Sequence, residues 1–120
     1  MVNIKSKRIY ESVSPDDGFR VLADRLWPRG IKKEAAHIDY WAKDLAPSTG
    51  LRKAFHGSEI TWPEFAAQYM AEITNNAAFG DFVELIRTKK KTTLLFAGKD
   101  TVQTHVNVLI EALKTVRLYV

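Results

Sequence analysis

Apolar residues recur at three- and four-residue spacing through Trp62, Phe65, Ala66, Tyr69, Met70 and Ile73, which lines them up on one face of a helix. Thr61 with Glu64 three residues on makes a capping box at its start, and Pro63 is tolerated in a first turn. A shorter set, Phe79, Phe82, Val83 and Ile86, repeats the spacing after "TNNAAFG" and stops at "RTKKK", a basic run suited to a helix C-terminus. A third stripe, Val102, Val106, Leu109, Ile110, Leu113 and Val116, predicts a last helix, with Asp100 placed to cap it and Gln103 at the capping-box position.

Between these stripes the pattern changes to strands. "TTLLFA", Thr92 to Ala97, is a compact apolar run between a polar run and a glycine, as expected of a central strand buried on both faces. Ile4 to Tyr10 and Phe19 to Leu26 are rich in β-formers and are separated by "SPDDG" turn chemistry. So short a gap predicts a hairpin, because a parallel crossover usually needs a dozen or more residues. The terminal "RLYV" can return as a short strand, completing a right-handed strand, helix, strand unit. "DYWAKDLAPSTGLRKAF" predicts a loop and then a short helix beginning near Ser48, a plausible cap. The whole has no internal repeat, linker or low-complexity segment, and its strands and helices place it in the α/β class as a single domain.

Composition narrows the chemistry only a little. A chain of 120 residues, 46% hydrophobic, is long enough for one packed core. Eighteen basic against fourteen acidic residues give a net charge of +4, which favours anionic ligands in general and permits nucleic acid without indicating it. The absence of cysteine excludes disulfides, thiolate metal sites and a cysteine nucleophile. "MVNIKSKRIYE" has no apolar core of signal-peptide length, and nothing approaches the roughly 18 apolar residues of a membrane span, so the expectation is a cytoplasmic protein without a membrane partner. Neither cofactor nor oligomeric state is specified by these totals.

Candidate chemistry gathers at two segments. In "VLADRLWPRG" an apolar run carries Asp24 and Arg25 side by side, followed by Trp27 and Arg29; in "GKD", Lys99 and Asp100 follow the central strand. If the two strands are parallel neighbours, both segments lie at the carboxyl-end rim, where open α/β sheets bind ligands. Arg25 and Arg29 are candidates to grip a phosphate or carboxylate as planar donors, and Trp27 to stack on a base or cover the site. The plainer reading pairs Arg25 with Asp24 or Asp100 and leaves Trp27 and Pro28 plugging the edge of the core. Lys99 is a candidate anion ligand and Asp24, Asp100 and His105 candidate acid–base groups, against the simpler roles of helix cap and half-buried histidine. Ser48 and Arg52 add a hydroxyl and a third guanidinium, although a solvated helix face explains Arg52 as well. His37, His56 and His105 show no paired spacing on one helix, and no metal is assigned. Lys89 to Lys91 lack the interleaved aromatics of a nucleic-acid strip.

Together "RIYE", "DGFRVLADRLWPRG", "KKEAAHIDYWAKDLAPSTGLRKAF", "WPEFAAQYMAEI" and "TLLFAGKD" with "HVNVL" resemble the DUF488 family, in its short branch often called YeaO-like, from about Arg8 to Leu113. The most specific parts are "DRLWPRG" and "LAPS". The resemblance implies a compact α/β domain with a largely parallel central sheet, against the hairpin above, and it matches "ADR" to the family's strand-end Asp-Arg motif. The family name records no activity. Where this branch usually has "HNHA", this chain has "QTHV", so Gln103 and Thr104 replace a histidine and an asparagine while His105 remains; Ala54 replaces a tryptophan and "HG" inverts the usual order. If that polar cluster is catalytic in relatives, the resemblance implies a weakened or retuned site here.

Overall fold

The computed structural model describes residues 3–116. In chain order these form strand β1 (Asn3–Arg8), a 3-10 turn (Pro15–Asp17), β2 (Phe19–Leu22), the one-turn helix α1 (Lys33–Ala36), β3 (Tyr40–Trp41), a second 3-10 turn (Lys43–Leu45), α2 (Thr49–His56), α3 (Trp62–Thr74), α4 (Ala77–Arg87), β4 (Lys91–Phe96) and α5 (His105–Thr115). The strands make one sheet in the order β1-β4-β2-β3 with every pair parallel. The α/β class with a small parallel sheet therefore stands, and the hairpin does not: β4 lies between β1 and β2.

Two features account for that outcome. β4 is buried along Thr92 to Phe96, and such a strand needs partners on both edges to satisfy its backbone groups. The link from Ile9 to Gly18, too short for a crossover helix, runs back over β4 as irregular chain and one 3-10 turn. Gly18 closes it at φ 64°, where an added Cβ would lie 2.6 Å from the Cβ and carbonyl oxygen of Lys91. Only glycine fits that contact.

Register sets the two faces of the sheet. Ile4, Val21, Ala23, Leu94 and Phe96 share one core with Phe65, Tyr69 and Ile73 of α3, Phe82 and Ile86 of α4, and Val106, Leu109 and Leu113 of α5. The apolar stripes of α3 and α4 thus bury as their spacing predicts, with Trp62, Ala66 and Met70 partly buried beside them. On the other face Arg20 and Thr93 lie beneath the link: Thr93 Oγ1 donates to the Asp17 carbonyl at 2.7 Å, and the buried Arg20 guanidinium donates to Asp17 and, at 3.0 Å, to the Ala36 carbonyl. The Thr61–Glu64 capping box and the Ser48 cap both form.

α5 departs from expectation. It begins at His105, so Asp100 does not cap it; instead Asp100 accepts the backbone N–H of Val102 and Gln103 and closes a turn ahead of the helix. Val102 lies in that turn and is 75% exposed, not on the core face. The second strand is shorter than predicted because the chain bends after Ala23. The expected strand "RLYV" lies outside the described residues. Among the described residues no helix is long and apolar enough to cross a membrane.

Candidate functional site

Parallel pairing sets the carboxyl ends of β2 and β4 side by side. Ala23 N–H donates to the Leu95 carbonyl at 2.9 Å, and one residue on, Ala97 N–H donates to Asp24 Oδ2 at 2.8 Å. The polar residue that ends the apolar run of β2 thus acts as the next rung of the ladder. Its other oxygen, Oδ1, lies 3.2 Å from His105 Nε2, which is also 2.9 Å from the Ala23 carbonyl. Two acceptors around Nε2 assign the proton to that nitrogen. The first residue of α5 is thereby tied to the rim of β2, and its ring meets Tyr69 edge-on at 6.0 Å.

A cavity of about 560 Å³ opens above these strand ends. Asp24, Asp100 and His105 line it, as do Arg25, Trp27, Arg29, Arg52 and Lys99. Segments near residues 25 and 100 therefore share one hollow. Ser48 does not reach it: its hydroxyl caps α2 and donates to Glu72 Oε2 at 2.6 Å, beside a second, smaller cavity of about 280 Å³.

Several individual roles differ from the sequence reading. Arg25 pairs with neither Asp24 nor Asp100; its Nη2 donates to the Ala46 carbonyl at 3.1 Å and the Pro47 carbonyl at 3.4 Å, while its buried Nε has no partner. Arg25 also lines both cavities. Trp27 is anchored through its Nε1–H to the Ile31 carbonyl at 2.7 Å and packs edge-on against Trp41 at 5.4 Å, which fixes it as a wall. Backbone donors from Gln103 and Val102 hold the Asp100 carboxyl below the usual aspartate range, making it a poorer base. Burial, with Glu72 and Asp24 nearby, pushes the Tyr69 hydroxyl well above its ordinary value, so it stays a donor, to the Leu45 carbonyl at 2.6 Å.

Other contributors are absent from the sequence reading. Arg8 Nε donates to the Gly98 carbonyl at 2.8 Å and Nη2 to the Ala97 carbonyl at 3.0 Å, clamping the exit of β4. Trp41 Nε1–H donates to the Asp24 carbonyl at 2.7 Å. Phe55 and His56 line the cavity from α2, and Trp62 and Phe65 from α3. The signal for Phe55 and His56 was their i+3 and i+4 spacing from Arg52, which puts all three on one helix face. Among the described residues no cluster of three or more His, Asp or Glu side chains is placed to hold a metal ion.

Comparison with known proteins follows the same lines. A family model described as the inactive DUF488-N3 subclade matches residues 3–117. The chain is 44% identical over 114 residues to the uncharacterized protein YeaO of Escherichia coli K12, covering 95% of this chain and 99% of that protein. It is 36% identical over 110 residues to the uncharacterized protein Rv3073c of Mycobacterium tuberculosis, covering 92% of each. No solved structure matches the chain. With a family model spanning almost its full length and such relatives matched end to end, the chain belongs to the DUF488 family and is YeaO-like.

Proposed function

We propose that this protein binds an anionic small molecule in the rim cavity, and that it does so without turnover. One observation carries the reading: Arg25, Arg29, Arg52 and Lys99 line a single hollow, and among the described residues none of them is ion-paired with a carboxylate. Of the two acids lining it, Asp24 is occupied by Ala97 N–H and His105, and Asp100 by two backbone N–H groups. The excess positive charge is thus left for a ligand, in a concave site where its field is less screened than on an open surface.

The same occupancy argues against catalysis. A general base needs an available lone pair aimed at substrate, whereas Asp24 accepts from Ala97 N–H and from His105, whose Nε2 carries its proton and donates. The matching family model, which describes an inactive subclade, supports the same view.

Inorganic pyrophosphate is a suitable first probe. At about 100-fold excess over its dissociation constant it should stabilise the fold by roughly 2.7 kcal/mol and raise the melting temperature by several degrees. The Arg52→Gln, Lys99→Gln double variant, which touches exposed or half-exposed side chains, should melt normally without ligand and lose affinity about tenfold or more. Absence of any shift with pyrophosphate, phosphate and citrate would remove the proposal. Tight oligonucleotide binding with a steep salt dependence would favour the nucleic-acid alternative instead. That alternative has less support: Lys89 Nζ sits over the Phe19 ring at 4.6 Å and Lys91 pairs with Asp16 at 3.7 Å, at the end of β4 remote from the cavity.

A further inference from the structure

We infer that the anion taken by this cavity carries a flat aromatic ring, and that it is a free mononucleotide. The inference rests on the anion-binding reading and supplies its second half. The cavity has two unlike sides. Arg25, Arg29 and Lys99 follow the strand ends, whereas Phe55, Trp62 and Phe65 face in from α2 and α3. Those rings form one cluster: Trp62 stacks on Phe65 at 5.3 Å and 21°, and Phe55 lies 4.9 Å from Phe65 and 5.6 Å from Trp62.

Phe65 is buried, but Phe55 and Trp62 are only half-buried and line the hollow, so each keeps ring surface for another plane. Arg52, three residues before Phe55 on α2, lines the same hollow, where its guanidinium can meet a phosphate or stack on a base. Trp27, held by its bond to Ile31 and its edge-on packing on Trp41, lines the hollow from the strand-end side, away from this cluster in sequence. At about 560 Å³ the hollow falls within the range of sites that enclose one small ligand, which suits one nucleotide and not a run of stacked bases.

The test compares adenosine 5′-monophosphate, ribose 5-phosphate, inorganic pyrophosphate and a single-stranded oligodeoxyadenylate by calorimetry and by tryptophan fluorescence. The mononucleotide should bind about tenfold or more tightly than ribose 5-phosphate and should quench fluorescence, with the quench lost in Trp62→Phe. Trp62→Ala should abolish the preference for the ring while pyrophosphate binding persists; retained pyrophosphate binding also shows that the variant is folded. Equal affinity for mononucleotide and ribose 5-phosphate, or a ring preference that survives both Trp62→Ala and Phe55→Ala, would overturn the inference while sparing the anion site. Failure of pyrophosphate to bind the unmodified protein would remove both. Tighter binding of the oligomer than of the mononucleotide would overturn the assignment to a free nucleotide.

Discussion

At the scale of single residues, Asp24 shows how a buried-edge carboxylate becomes structural. It accepts the N–H that β4 offers after its last strand residue, and it fixes His105, whose Nε2–H is shared between Asp24 and the Ala23 carbonyl. His105→Ala leaves two half-buried acceptors without their donor. It should cost about 1–3 kcal/mol in urea denaturation and leave pyrophosphate affinity within about twofold. An unchanged midpoint would show that the imidazole does not anchor the rim; a large loss of affinity would make it a ligand-binding group. The adjacency of Asp24 and Arg25 after an apolar run was visible in the sequence, as was a rim position for both. The partners of Arg25 were not, because the Ala46 and Pro47 carbonyls are more than twenty residues away and are presented by a loop with no periodic signal.

At the scale of elements, the link between β1 and β2 repays attention. Its turn chemistry was legible in "SPDDG", but not the burial of Asp17, which accepts from Lys7 Nζ at 3.0 Å, from Ser14 N–H at 3.0 Å and from Arg20. Burial alone would raise the Asp17 pKa, yet the donors from Lys7, Ser14 and Arg20 outweigh it and hold the carboxyl below its ordinary value. A folded-state value below the unfolded one, about 4, contributes stability that is present above that pH and lost as pH falls through the folded value. Asp17→Asn should therefore lower stability near pH 7, by about 3–5 kcal/mol if Arg20 is left uncompensated. It should also flatten the acid limb below about pH 4. Urea midpoints from pH 7 to pH 2 would test this, and parallel acid limbs in the two proteins would refute it. In α5, Val102 lies four residues before Val106 and fits the stripe by spacing, and Asp100 accepts the Val102 and Gln103 N–H groups as a helix cap would, yet the chain closes only a turn there and the helix starts at His105.

At the scale of the whole molecule, one apolar core joins three strands to α2 through α5. Unfolding in urea should accordingly be a single transition, with far-UV circular dichroism and tryptophan fluorescence coinciding. Because Trp27, Trp41 and Trp62 all report on the rim region, an earlier fluorescence transition would reveal a rim that opens independently of the sheet. Strand order was beyond the reach of periodicity, since β4 pairs with segments more than seventy residues earlier and local pattern carries no information about partners. The likeness to a known family supplied the parallel sheet that the short gap argued against.

The brevity of the Ile9–Gly18 crossing has a mechanical result. Ten residues that must return along a six-residue strand have little slack, so β1 and β2 cannot slide independently past the strand they flank. Harnessed at one end by Gly18 against Lys91 and at the other by Ile9 N–H on the Phe96 carbonyl, they hold the mouth of the hollow to a fixed gauge even when it is empty.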